Sequence, residues 1–240
     1  MRLDLLKALN DERAARRGAV LVTDLADGTQ RLVRENDVPD DALAAQLEAA
    51  LRSGKSANVE VEGKSYFLNV QVPPVRFFVI GAVHISQALA PMAKIAGFDM
   101  TIIDPRTAFA SPERFPDVRV IAEWPDIALG ELKPDRYTAM AFFTHDPKID
   151  DVGLKIALAA ECFYIGALGS RKTHANRLAR MRDAGFDDTQ LARIHAPIGL
   201  DIGAVAPAEI AVSVLGEVIL ALRKKPLRAE KAQPAAEALP

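Results

Sequence analysis

Hydrophobic and polar positions change rhythm once along this chain, at Pro73-Pro74. Before that point, short apolar runs alternate with polar turns. Gly18 to Thr23 is an apolar β-type run, Asp27-Gly28 carries a turn signal, and Thr29 to Arg34 returns as the second arm of a hairpin. Leu43, Leu47 and Leu51 recur at four-residue steps between Pro39 and Arg52, one face of a helix that Ser53-Gly54 closes. Ala57 to Val61 and Tyr66 to Val72 read as two further strands meeting across Glu62-Gly63-Lys64. With a short helix over Met1 to Asn10, residues 1–72 are expected to form a small α+β domain with antiparallel pairing.

From Val75 the rhythm becomes continuous apolar strands alternating with helical periods, the texture of a parallel sheet covered on both faces. Strands are predicted at Arg76–Ile80, Met100–Ile103, Arg119–Ile121, Thr138–Phe143, Cys162–Ile165 and Ile194–His195. Helices are predicted around Ile85–Ala96, Lys148–Ala160, Thr173–Ala184 and Pro207–Arg223. The fold class that follows is α/β: a Rossmann-like, doubly wound, mostly parallel sheet over residues 75–225, preceded by the small α+β domain. After Arg223 the Lys, Ala, Glu and Pro composition loses any apolar period, and residues 226–240 are expected to be a disordered tail.

Composition removes whole classes of function. The 240 residues are half hydrophobic and carry a net charge of −2, with no face-sized excess of Lys and Arg. That argues against nucleic acid as a partner. The one cysteine, Cys162, cannot make an intrachain disulfide, and the N-terminus lacks the apolar core of a signal peptide. No uncharged run approaches the roughly 20 residues a membrane span needs. The expectation is a cytoplasmic protein without a membrane span.

The richest chemistry lies in Tyr164 to His174, where an apolar run meets Gly166 and Gly169, then Ser170, Arg171, Lys172 and His174. Ser170 is placed to cap the following helix. The N–H groups of its first turn, with Arg171 and Lys172 beside them, favour a phosphate or carboxylate. An ordinary strand-to-helix corner with solvated charges explains the same residues equally well. Upstream, Gly81-Ala-Val-His84-Ile-Ser86 follows the first strand, and Asp104 and Arg106 follow the second. This is a partial dinucleotide fingerprint. Val83 stands where the backbone of its second glycine must approach a pyrophosphate, a steric objection to tight nicotinamide nucleotide binding.

All four histidines, His84, His145, His174 and His195, fall at or just past the C-terminal end of a predicted strand or in the next helical turn, the edge where open parallel sheets bind ligands. Thr144-His145-Asp146 offers a hydroxyl, an imidazole and a carboxylate that orient a ligand or carry a proton; alternatively, Asp146 caps a helix ahead of Pro147. No histidine pair has metal-site spacing. Gly199 and Gly203 suggest an irregular loop carrying Asp201 toward the strand ends, and Glu209 complements the dipole of a helix opened by Pro207. Cys162 precedes its strand's apolar run, so it is expected in the core at the opposite edge.

Gly81-Ala-Val-His84, Asp104-Pro-Arg106, Thr144-His-Asp146, Tyr164-Ile-Gly-Ala-Leu-Gly-Ser-Arg171 with His174, His195-Ala-Pro-Ile-Gly-Leu-Asp-Ile-Gly-Ala and Pro207-Ala-Glu209 together resemble the xanthine dehydrogenase accessory protein family, XdhC/CoxI, over Val75 to Leu222. The resemblance implies a maturation factor rather than a turnover enzyme. Such a protein binds molybdenum cofactor, as molybdopterin or its dinucleotide form, helps it acquire its terminal sulfur, and delivers it to a molybdenum hydroxylase apoenzyme. A cysteine desulfurase and a second copy of the chain are the other implied partners. On this reading the Gly166–Arg171 turn and Lys172 hold the cofactor phosphate. His145, His174 and His195 line the pocket, Asp201 shapes its loop, and Asp104 meets a nucleotide moiety. Two rival readings stay open: an NAD(P)-dependent oxidoreductase with His145 or His174 as proton donor, and a regulatory scaffold whose pocket is vestigial.

Overall fold

The computed structural model of the chain describes residues 2–224, and the tail expected over 226–240 lies outside the described residues. Contacts divide the chain into two units between Pro74 and Val75.

In the first unit, helix α1 (Leu3–Ala14) is followed by strands β1 (Ala19–Asp24) and β2 (Gln30–Arg34), helix α2 (Ala44–Ser53), and strands β3 (Ala57–Val61) and β4 (Lys64–Gln71). The strands pair antiparallel in the order β2-β1-β4-β3. Leu47 and Leu51 of α2 share an apolar cluster with Val20, Val22 and Leu68 of the sheet. Gly54, at a φ of 65°, ends α2 with its N–H bonded 2.9 Å from the Ala50 carbonyl oxygen. The first helix runs past Asn10 because Glu12, buried on its inner side, accepts bonds from Arg17 (2.6 Å) and Arg34 (3.0 Å), which ties the charged stretch down.

The second unit contains β5 (Arg76–Ile80), α3 (His84–Ile95), β6 (Asp99–Ile103), β7 (Arg119–Ile121), α4 (Pro125–Leu132), β8 (Thr138–Phe142), α5 (Pro147–Ala159), β9 (Tyr164–Ala167), α6 (Arg171–Asp183), α7 (Asp188–Leu191), β10 (Ile194–His195) and α8 (Pro207–Lys224). Every strand pair is parallel, in the order β10-β9-β8-β5-β6-β7, the doubly wound arrangement whose switch point falls between β5 and β8. Alternation along β5 explains its unbroken apolar run. Phe77 and Val79 face a core with Leu89 of α3 and Val214 and Val218 of α8, while Phe78 and Ile80 face one with Leu129 of α4, Leu154 of α5 and Met181 of α6. Each such side chain contributes about 1.5–3 kcal/mol by burial.

Two local differences from the sequence pattern matter. The eight residues of α4 have Pro125 at the first helical position but too few turns for the periodicity to announce them. The fifth strand of this sheet begins at Tyr164 rather than Cys162, since the Cys162 N–H still bonds the Ala157 carbonyl at the exit of α5. That shift carries Gly166 into the strand.

Candidate functional site

Because the strands are parallel, Ile80, Ile103, Phe142, Ala167 and His195 all end on one edge, and the loops beyond them carry the polar side chains predicted from sequence. At the mouth of β9, Gly169 takes a φ of 135° and Ser170 caps α6, its Oγ accepting the Thr173 N–H at 3.2 Å. The first helical bond is made by the His174 N–H to the Ser170 carbonyl (2.9 Å), so the N–H groups of Arg171 and Lys172 project from the helix end. Arg171 and Lys172 are exposed, and the first turn holds no acid. This is an anion-receptive helix terminus. Gly166 is not part of that turn. It is buried in β9, where a Cβ would sit 2.5 Å from both Ile198 Cδ1 and Tyr164 Oη, so its role is close packing.

Beyond β8, the cap reading of Asp146 is realised: its Oδ1 accepts the Lys148 N–H at 2.9 Å ahead of Pro147 at the first helical position. His145, exposed and at a φ of 60°, forms the corner. Thr144 Oγ1 accepts the Asp146 N–H (3.1 Å) and donates to Asp150 Oδ1 (2.6 Å). Asp150 is buried in the first turn of α5, and burial pushes its carboxyl up to about 6 against the opposing pull of Thr144 and Arg177. Arg177, equally buried on α6, reaches back beneath the glycine turn and donates from Nη2 to the Leu168 carbonyl at 2.8 Å. A cleft of about 170 Å³ opens here, lined by His145, Asp150, Asp151, Thr173, Arg177 and Arg180. His174 sits one turn away, and burial, reinforced by Arg177, lowers its pKa.

The β5 turn is occupied by its own chain. Asp104, fully buried, accepts the Ala82 N–H (2.8 Å) and the Arg106 N–H (3.0 Å), and pairs with the Arg106 guanidinium at 2.7 Å. Burial pushes its carboxyl up, but these bonds outweigh it and leave the pKa lowered. The carboxylate that a dinucleotide fingerprint turns toward a ribose is therefore turned inward onto the loop, and the Ala82 carbonyl is taken by Arg114 Nη1 at 3.0 Å. Val83 packs partly buried against the core as the residue preceding α3. Gly81 lies against Thr144 across the switch point, and exposed His84 has Nδ1 3.1 Å from Gln87 Oε1.

At the far end of the sheet, His195 Nδ1 lies 2.7 Å from Glu217 Oε1, and Glu217 Oε2 accepts from Tyr164 Oη (2.6 Å) and from the Gly199 N–H (2.7 Å). The His195 and Tyr164 rings are 5.0 Å apart. Glu217 is the polar residue that motif reading misses; its signal is a carboxylate between Gly216 and Val218 in the middle of the apolar helix α8. Asp201 is exposed on the loop beyond Gly199. Glu209 closes that loop by accepting the Val205 and Ala206 N–H groups at 2.8 and 2.9 Å. Cys162 is buried away from this edge, with its thiol pushed up to about 12 by burial. Among the described residues, no group of three or more His, Cys, Asp or Glu is arranged to hold a metal ion, and no helix is long and apolar enough to cross a membrane.

Fold and site together define a Rossmann-type domain with an anion-receptive helix terminus and a polar cleft at its strand ends. Residues 77–218, more than half of the sequence, match the XdhC Rossmann domain, and the chain belongs to that family. It is 32% identical over 148 residues to a probable xanthine dehydrogenase subunit of Bacillus subtilis, covering 61% of this chain and 43% of that protein. It is 32% identical over 146 residues to the "molybdenum cofactor insertion chaperone PaoD" of Escherichia coli, covering 61% of this chain and 40% of that one. An uncharacterized E. coli protein, YqeB, is 31% identical over 159 residues, 65% of this chain and 29% of its own length. The chain thus spans less than half the length of these curated relatives. A solved structure described as a xanthine dehydrogenase from Bacillus halodurans shares the fold with a TM-score of 0.65 at 22% identity, covering 92% of this chain and 67% of the other.

Proposed function

We propose that this protein binds molybdenum cofactor, assists its sulfuration and delivers it to a xanthine dehydrogenase-type molybdenum hydroxylase in the cytoplasm. The observation that carries the reading is the start of α6: two outward N–H groups, a Ser170 cap and exposed Arg171 and Lys172, on a chain whose relatives include one named as an insertion chaperone for this cofactor. The helix terminus and Arg171 hold the cofactor phosphate through backbone and charge-assisted bonds. His145 and His174 stand beside it. The grip lies on an open strand edge, as release to an acceptor enzyme requires. The buried Cys162 thiol is a poor sulfur carrier, so sulfur comes from a partner such as a cysteine desulfurase. An inward-turned Asp104 and a valine at position 83 weigh against a nicotinamide nucleotide in the same crevice.

The test is molybdenum and pterin content of the protein purified from a molybdenum-replete host. The reading expects both species in the wild type and a loss of about tenfold or more in affinity for Arg171→Ala, the effect of removing a charged hydrogen bond. Absence of both, in cells where a molybdenum hydroxylase is loaded, overturns it.

A further inference from the structure

The outer face of α8 is an apolar stripe without a partner among the described residues. Its inner face is committed to the core through Ala211, Val214, Val218 and Ala221. On the opposite side Val212 is 51% exposed, and Ile219 and Leu220 are each 38% exposed. Leu200 is laid beside them by the bond from its N–H to the Ser213 carbonyl (3.2 Å), and a Cβ on Gly216 would come 3.0 Å from Leu200 Cδ1. Among the described residues, six of the thirteen large apolar side chains left exposed lie between Leu200 and Leu220. Single exposed apolar residues are ordinary, but a cluster along one helix face marks a contact surface.

The order of residues along the stripe identifies what covers it. Glu209, Val212, Gly216, Ile219 and Arg223 follow one another at steps of three, four, three and four, the seam along which two helices pack. The seam is also its own complement. Glu209 and Arg223 stand seven residues before and after Gly216, and Val212 and Leu220 stand four before and after it. A second α8 laid antiparallel across a twofold axis at Gly216 therefore sets the partner's Arg223 against Glu209 and the partner's Leu220 against Val212, and each contact occurs twice. Both charged residues are exposed, and the Val205 and Ala206 N–H groups favour the ionised form of Glu209. A parallel pair would set like charges together at both ends.

We propose that the exposed face of α8 is a homodimer interface in which two copies of this chain pack antiparallel about Gly216. An unrelated partner needs no such mirrored pattern. Dimerisation through α8 does not depend on what the strand edge binds.

The test is the mass of the full chain in solution, by sedimentation equilibrium over about 1–100 μM; one helix face is a small interface, so a dissociation constant in the micromolar range is expected. Val212→Glu places a carboxylate against the partner's Leu220 and is expected to weaken the dimer about a hundredfold. Arg223→Glu turns both end pairs into like charges, is expected to weaken it about tenfold or more, and keeps the test open should Val212→Glu fail to fold. Direction and register are read by disulfide trapping of Val212→Cys and Leu220→Cys chains, the buried Cys162 being unreactive. A mixture of the two is expected to cross-link between variants. Either variant alone is not, since its two new thiols lie about 12 Å apart along the helix axis. A monomer throughout that range, as when another protein or the residues after Lys224 cover this face, overturns the proposal. So does a dimer unmoved by both charge variants, or cross-linking within single variants but not in the mixture.

Discussion

Tyr164 and Glu217 are 53 positions apart in the chain and meet through a 2.6 Å hydrogen bond from the phenol to the carboxylate. That bond locks the last helix to β9 and makes Glu217 the shared acceptor for Tyr164, His195 and the Gly199 N–H. Burial pushes the Glu217 carboxyl up, but the three bonds outweigh it and its pKa is lowered, while the Tyr164 hydroxyl is pushed well up by burial and by the adjacent carboxylate. Glu217→Gln replaces an acceptor-only group by one that brings its own donors, and is expected to cost about 3 kcal/mol in denaturant unfolding. A carboxylate with a depressed native pKa contributes stability that is complete above its unfolded value of about 4.5 and is lost as pH falls through the native one. Acid unfolding curves should therefore be steeper below about pH 4.5 for the wild type than for Glu217→Gln.

Asp104 is expected to behave as a structural residue. Asp104→Ala strands the buried Ala82 N–H and leaves Arg106 without its partner, a loss of about 3–5 kcal/mol measured by urea unfolding. If the variant instead keeps full stability and loses only cofactor binding, the inward-facing role is wrong.

Asp150 has the opposite linkage. Its native pKa of about 6 stands above the ordinary carboxyl value of 3.8, so the native state binds the extra proton and stability from this group declines as pH rises from about 4 to about 6. The groups around it are Thr144, His145 and Asp146 from the β8 loop, Asp151 on α5, Arg177 and Arg180 on α6, and Arg106 beyond β6. Asp150→Asn removes the titration. Relative to wild type it should gain about 3 kcal/mol between pH 4 and 7, read from paired unfolding curves at the two pH values.

Cys162 should be inert in the native state. With the thiol buried and its pKa pushed up to about 12, an aromatic disulfide reagent at pH 8 is expected to label it only as fast as the protein unfolds, and at once in denaturant. Rapid native labelling would reopen a sulfur-carrying role.

Much of this architecture was legible along the chain because it depends on local rules. Continuous apolar runs such as Phe77 to Ile80 require a strand covered on both faces, and Ser170 and Asp146 each cap a helix through a bond to a residue two or three positions on. The placing of the histidine-bearing loops on one edge follows from parallel strands alone. Short elements escaped: α4 offers barely two turns, and a strand start can slide by two residues when the preceding helix exit is also apolar, as at Cys162.

By itself, then, the sequence determined the two-part organisation, the doubly wound sheet and the loops that carry the polar groups, since apolar period, capping and turn chemistry act over a few neighbouring residues. Only the tertiary structure decided which way Asp104 faces, that Gly166 serves packing against Ile198 and Tyr164, and that Asp150 and Arg177 line one cleft. It also brought Glu217 to His195. Those relationships join residues from different elements, and a side chain's partners there are set by how helices seat on the sheet, which no local pattern encodes.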